Sequence, residues 1–293
     1  MRDQQYYQIQ LQKTLNAIIP RYPELFLRAY YFRRFRKILP LEHPRSFNEK
    51  LQWLKIFGNT EAHRHLVDKV SAKEHVREIL GDSYIIQNYQ IIEDARQIDF
   101  DALPERFVAK PNHLSGRVFI SRDRDSLDRT ELIDKINYWS QLDYYYVWFE
   151  SSYKGIQPRI IFEELLSDGH ETMRDYKFYC FDGRVEYAHV DLDRFIKHMR
   201  IMFSREWEAL PFSFNFPICD VAIPQPDNLA EMIEIAETLS RGFPFVRIDL
   251  YQSSRGIKFS EFTFFPEAGL GRFTPPEWDA KFGELLQLPA NAA

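Results

Sequence analysis

Two acids near the C-terminus, Asp249 and Glu261, carry the first chemical signal in this 293-residue chain. They lie in VRIDLYQSSRGIKFSEFTFF, where strand-like runs at 245–251 and 257–265 flank a polar turn at 252–256, the pattern of a β-hairpin. Side chains alternate along a strand. Arg247, Asp249 and Tyr251 are therefore expected on one face, and Phe259, Glu261 and Thr263 together on one face of the partner. Facing carboxylates in otherwise apolar strands repel, and burying them is costly unless a cation or base lies between them. Mg²⁺ suits such a pair, because it takes few protein carboxylates and completes its octahedron with water and substrate phosphates. The pair points to a nucleotide enzyme. The alternative is a solvated hairpin edge on which Arg247 simply pairs with Asp249.

Lysines supply the second signal. In FVAKPNHLSGRVFIS an apolar run at 106–109 delivers Lys110, a small polar loop from Asn112 to Gly116 follows, and a strand at 117–121 returns. Ser115 and Gly116 can turn backbone N–H groups toward phosphate oxygens while a lysine supplies charge. An ordinary hairpin with an exposed lysine reads the same way, and no GxxxxGK[ST] is present to make it a P-loop. Further on, Asp182-Gly183 reads as a tight turn between strands at 175–181 and 184–192, which makes Lys177 and Arg194 candidates for anion contacts. A strand at 159–162 runs into Glu163-Glu164-Leu165-Leu166 and the turn Ser167-Asp168-Gly169. That is either an ordinary acidic strand end or a linker where a polar ligand edge is read. Asp191-Leu192-Asp193 can also be read as the metal-binding DxD of a glycosyltransferase, although no Gly-rich loop surrounds it.

The elements that must position these residues are legible in outline. With 45% hydrophobic and 16% aromatic residues, the chain can bury a large core and hold two or three subdomains. A net charge of -5 argues against a general nucleic-acid binder. Cys180 and Cys219 stand alone, without a CxxC or a Cys/His cluster, so neither a disulfide framework nor a zinc site is indicated and a reducing cytoplasm fits. No run approaches the roughly 20 apolar residues of a spanning helix, and the N-terminus lacks a signal-peptide core. Residues 1–57 read as helical, with apolar positions from Ile9 to Ile19 and from Leu25 to Phe35. Arg33, Arg34, Arg36 and Lys37 form a short basic cluster there, either a solvated helix face or a peripheral contact with anionic lipid or glycan. Ser46 and Glu49 predict a capping box, Gly81 the C-cap of a helix that begins near Lys69, and residues 126–140 and 228–241 two further helices. The aromatic run from Tyr144 to Phe149 is core or substrate platform, and 204–226 is irregular.

Taken in order, VDK, LPERFVAKPNHLSG, the strand ending in EELL, DYKFYCFDG, VRIDLY and EFTFFP resemble the ATP-grasp superfamily. With PRSFNEKLQWLK, they are similar to its TupA-like branch, linked to bacterial surface-polysaccharide biosynthesis. The resemblance runs from about Pro44 to the C-terminus. It implies an α+β ATP-grasp fold, two α+β lobes clasping a nucleotide behind an N-terminal helical extension, with regions 1–60, 61–166 and 167–293. The activity implied is ATP-driven carboxylate–amine ligation, with Mg²⁺ (one or two ions) and ATP as cofactors. Lys69 and Lys110 would contact phosphates, Asn112, Ser115 and Gly116 would belong to a flexible phosphate flap, and Glu163, Glu164 and Leu166 to an adenine hinge. Arg247 would steady the transferring phosphoryl group, and Asp249, Glu261 and Thr263 would hold metal. Thr263 replaces a usual Asn, Leu114 a usual Gly in the flap and Ser260 a usual Gly before the acid. Leu114 and Thr263 together also support a nucleotide-binding protein without turnover. Asp168 and Glu171 are both eligible to bind ribose. The substrates implied are a uronic acid or other acidic glycan group and an amine.

Overall fold

The Glu49 amide donates to the Ser46 hydroxyl, and the Glu49 carboxylate accepts the Ser46 amide at 3.0 Å, closing the capping box that the sequence predicts and starting a helix at Phe47. The computed structural model describes residue 14 and residues 22–166, 174–192, 198–218 and 221–289. Arg194, Asp168, Glu171, Asp193, Cys219 and the expected first helix lie outside the described residues, Thr14 apart.

In chain order the described helices are α1 (Pro23–Phe35), α2 (Phe47–Phe57), α3 (Arg64–Val67), α4 (Lys69–Leu80), α5 (Arg129–Trp139), α6 (Tyr145–Trp148), α7 (Leu229–Ser240) and α8 (Glu277–Leu285). The strands are β1 (Asn88–Ile92), β2 (Phe107–Pro111), β3 (Phe119–Ser121), β4 (Ile160–Glu164), β5 (Asp175–Phe181) and β6 (Arg184–Leu192). They continue with β7 (Met199–Ser204), β8 (Ser213–Phe214), β9 (Phe245–Ser253), β10 (Gly256–Thr263) and β11 (Phe273–Thr274). The chain divides into two compact units. Among the described residues, one holds 22–27, 60–72 and 86–166, and the other holds 28–59, 73–85 and everything after 166. Residues 28–59, which the sequence reading placed in a helical region of their own, are thus part of the second unit.

The first unit is built on the antiparallel sheet β1-β4-β2-β3. Alternation along FVAKP sends Phe107 and Ala109 inward, and they join Phe162, Ile160, Leu132, Ile136 and Trp139 in one core. Val108 and Lys110 take the other face, together with Ile161 and Glu163 of β4.

The second unit is built on the antiparallel sheet β10-β9-β5-β6-β7. Tyr176, Phe178, Ile248, Leu250, Val190 and Ala188 point to one face, which α7 covers. On the other face, at the end nearest the Asp182-Gly183 turn, Phe181 and Phe245 meet Phe47 and Phe282, with Phe47 edge-on to Phe245 at 4.9 Å. Tyr187 stacks on Phe282 at 4.4 Å. This aromatic plug holds α2 and α8 to the sheet. Strand β7 pairs with β6 through Met199 to Ser204, just ahead of the stretch expected to be irregular, and within that stretch the two-residue β8 pairs with β11.

Gly283 lets α8 approach the capped start of α2. A Cβ built there would lie 2.2 Å from the Arg45 carbonyl oxygen and 2.9 Å from the Phe47 nitrogen, both backbone atoms. Gly283→Ala is therefore expected to lower unfolding free energy by about 1–3 kcal/mol, the usual cost of overpacking. Glu284→Ala, one position on, should have little effect. Urea unfolding of both variants checks this, and equal stability would refute the close approach.

Candidate functional site

Strand pairing of β10 with β9 runs Phe259 opposite Leu250 and then Glu261 opposite Asp249, leaving Ser260 as an extra residue. Without this bulge Glu261 would face Ile248 on the apolar side; with it, Glu261 joins Asp249. The two acids meet as the sequence reading expects, and Thr263 pairs with Arg247. Phe259 does not share their face. It is buried opposite Leu250, because the bulge breaks the simple alternation on which that expectation rested.

The row continues across the sheet, Lys177 opposite Asp249 and His189 opposite Lys177. Asp249 has no solvent exposure, at 0%. Arg247 Nε donates to its Oδ1 and Nη2 to its Oδ2, both at 2.7 Å, and Lys177 Nζ donates to Oδ2 at 2.6 Å. Burial by itself raises a carboxyl pKa, but the two cations outweigh it and hold Asp249 at about 2. Burial opposes the charge on Lys177 and Arg247 as well, and the acids prevail, raising both pKa values. Asp175 lies 3.4 Å from Lys177. Arg247 Nη2 also donates to Thr263 Oγ1 at 3.1 Å and lies 3.9 Å from Glu261, whose side chain is 28% exposed.

These contacts bear on each expected role. The pairing of Arg247 with Asp249 is real but buried, not a solvated edge. Lys177 is committed to Asp249 and Asp175, which makes it a residue that positions the acid rather than one that faces solvent. A magnesium ion fits this set, since three carboxylates against two cations leave one excess negative charge and Glu261 presents open oxygens. Asp249 retains a single unused lone pair, three of its four being occupied. Thr263 Oγ1 already accepts a hydrogen bond from Arg247 Nη2. Among the described residues no group of three or more acids, histidines or cysteines is arranged to hold a metal ion by itself.

A second charged cluster lies on the same face. Asp191 accepts from Arg200 Nε at 2.7 Å and sits 3.0 Å from His198 Nε2, while Arg200 Nη1 donates to Glu267 at 3.0 Å. Asp191, the first acid of the DxD pattern, is thereby paired, and the second, Asp193, lies outside the described residues. The sequence reading missed Arg200, Glu267 and Asp175. Asp175 was findable, since it precedes Lys177 by two residues and must share its face. Burial lowers the His189 pKa to about 3 and pushes the Cys180 thiol up to about 12.

In the first unit Lys110 Nζ lies 2.5 Å from Glu163, and the side chains are only 12% and 5% exposed. Lysine and hinge acid are thus partners on one face of the sheet. Lys69, the first residue of α4, donates from Nζ to the Leu114 carbonyl at 2.7 Å. The Glu164 amide donates to Gln87 O, so it is not available to a ligand, and Leu166 is half-buried.

The expected flap is only partly one. Asn112 is buried, donating to Gln157 O at 3.0 Å and accepting from the Arg159 amide at 2.7 Å. Leu114 lies in the core of the first unit. Ser115 and Gly116 are exposed, and Gly116, at φ +69°, has open space around it. Asn112 therefore anchors the loop and does not face a ligand, and Leu114 is a packing residue in place of a flap glycine.

A family model described as TupA-like ATPgrasp matches residues 49–287. A search of curated proteins finds no match. Among solved structures, the chain is similar to the ATP-grasp ligase PsnB complexed with minimal precursor, Mg and ADP, at 15% identity and TM-score 0.39, covering 74% of this chain and 57% of that one. D-alanine–D-alanine ligase from Bacillus anthracis complexed with ATP matches at 13% identity and TM-score 0.41, covering 75% and 63%. A RimK domain ATP-grasp protein from Sphaerobacter thermophilus matches at 12% identity and TM-score 0.43, covering 78% and 69%. The chain spans little more than half the length of PsnB.

Leu114→Ala is expected to destabilise the first unit by about 2–5 kcal/mol, the range for removing a buried leucine. Its neighbour His113 is buried with ring nitrogens 3.1 Å from Asn112 Oδ1 and 3.2 Å from Trp139 O. Burial lowers its pKa from 6.5 to about 4. A lowered folded-state value means the unfolded chain takes up the proton first, so stability present above pH 6.5 is lost as the pH falls toward 4. Urea unfolding between these pH values should show a loss of roughly 3 kcal/mol that His113→Gln largely removes. An unchanged pH slope in the variant would refute the assignment.

Proposed function

The chain belongs to the TupA-like ATP-grasp family, and from that premise we propose that it is an ATP-dependent carboxylate–amine ligase. The observation that carries the reading is the Glu261–Asp249–Lys177 row with Arg247 beside it, assembled by the bulge at Ser260. A magnesium ion held by Glu261 and Asp249 would neutralise phosphate charge. Arg247 keeps Nη1 without a partner among the described residues and would donate it to the transferring phosphoryl group, its plane fixed by Asp249. Lys177 holds Asp249 in place. In the first unit, Lys110 and Lys69 would meet phosphate oxygens, and the Ser115 and Gly116 amides would follow them. Glu163 through Leu166 would read the adenine edge.

The reaction then runs in two steps. A substrate carboxylate oxygen takes the γ-phosphoryl group, giving an acyl phosphate and ADP. An amine attacks the acyl carbon, the amide C–N bond forms, and phosphate leaves as the nitrogen loses a proton. The protein needs no nucleophile of its own, because positioning and charge neutralisation suffice for phosphoryl transfer. The acceptor we propose is a uronic acid or other acidic group of a bacterial surface polysaccharide, with an amino acid or amino sugar as amine, made in the cytoplasm. Screening uronates against amines with Mg-ATP for ADP and phosphate release tests this. UDP release from UDP-sugars would support a glycosyltransferase instead, and nucleotide binding without ADP formation a protein that has lost turnover.

Glu261→Gln is expected to abolish Mg-dependent turnover without moving the melting temperature, since this side chain is partly exposed. Asp249→Asn removes activity and also about 3–5 kcal/mol of stability, because two buried cations lose their partner. Near wild-type turnover in Glu261→Gln would overturn the metal assignment. For Lys110, the ion pair with Glu163 dictates the control. Glu163→Gln with Lys110→Met should bind ATP about ten to a hundredfold more weakly than Glu163→Gln alone, with adenosine affinity the same in both. Calorimetry that finds ATP and adenosine equally weakened would withdraw the phosphate role.

A further inference from the structure

We propose that the second half of α1 and the turn after it form a docking surface for an anionic phospholipid bilayer. This surface lies within the second unit and is independent of the ligase reading. One side of this segment is tied down. Tyr31 is buried with its hydroxyl on Glu49, and Arg34 donates to Leu270 O at 2.9 Å and to Asn215 Oδ1 at 2.7 Å. Arg28 donates to Leu39 O at 2.6 Å, and the Leu39 side chain is buried. The opposite side is open. Phe32 is 51% exposed and Ile38 80% exposed, and Arg33, Arg36 and Lys37 are exposed beside them. Among the described residues these three cations make no ion pair, in a chain whose net charge is -5.

The backbone favours this display. Arg36 ends the helix in the left-handed region at φ 58°, its amide donating to Phe32 O at 2.8 Å. Glycine is the usual occupant of such a position, and here a long cationic side chain takes it. With Leu39 anchored, Ile38 is held outward. Large apolar side chains interleaved with exposed cations suit a bilayer surface, where apolar groups enter the headgroup boundary and Arg and Lys meet anionic headgroups. A soluble polyanion would engage the cations and leave Phe32 and Ile38 in water.

The test is co-sedimentation of the full chain with vesicles of phosphatidylcholine, or of phosphatidylcholine mixed with phosphatidylglycerol, at about 0.1 M and 1 M salt. The wild type should partition onto the anionic vesicles only, and salt should release it. Each cation contributes about fivefold near an anionic surface, so combining Arg33→Gln, Arg36→Gln and Lys37→Gln should lower partitioning roughly a hundredfold. Phe32→Ser with Ile38→Ser should lower it severalfold while binding to dextran sulfate is unchanged. Thermal melts of both sets should match wild type, and their ADP release in solution should be unaffected. The proposal is overturned if wild type binds neutral and anionic vesicles alike, or if both variant sets partition like wild type. It is also overturned if the apolar pair is silent and dextran sulfate binds as tightly as the vesicles, which would make this a glycan-binding face.

Discussion

Asp249 remains ionised with no solvent exposure because Arg247 and Lys177 each place a cation on it. Transferring a lone carboxylate from water to such a place is prohibitive, and the cations would be equally costly alone. The rest of the second unit follows from meeting this constraint. Strand β5 must lie beside β9 in the register that sets Lys177 opposite Asp249, and Asp175 must accompany Lys177. The aromatic plug of Phe47, Phe181, Phe245 and Phe282 keeps water from one end of that face. Glu261 is the member left partly in solvent.

In the first unit the loop after β2 is anchored at one end and exposed at the other. Asn112, His113 and Leu114 fix its first half through buried hydrogen bonds and core packing, and Ser115 and Gly116 are left exposed. Lys69, donating to the Leu114 carbonyl, supports the turn. Lys110 and Glu163 neutralise each other on the half-open face of the sheet. Any phosphate that engages this lysine must therefore compete with, or join, a carboxylate already there. This is a way to keep the cation poised without burying it unpaired.

Both units set a more exposed group beside firmly bonded ones, Glu261 in one and Ser115-Gly116 in the other. The TupA-like ATP-grasp assignment gives these parts their chemical context. The exposed end of α1 belongs to neither arrangement. Its cations and apolar side chains are held outward by a segment whose other side is firmly bonded, a division of labour that a purely structural helix does not need.

Much of this was readable without coordinates. The capping box, the Asp182-Gly183 hairpin, the pairing of the two late strands and the order of the six motifs all depend on local preferences or strict spacing, which a sequence states directly. What depended on tertiary structure was partnership. Alternation predicted that Asp249 and Glu261 would meet, yet the meeting is produced by an unpaired Ser260 that also turns Phe259 away, and a bulge is a property of two strands together. That Lys177 holds Asp249, that Arg200 occupies Asp191, that Lys110 holds Glu163 and that Leu114 is core are all decided by residues 9 to 72 positions distant. Sequence determines which groups can ionise and which can pack. Only the folded chain decides which charges neutralise one another, because desolvation makes that choice and desolvation is set by everything packed around them.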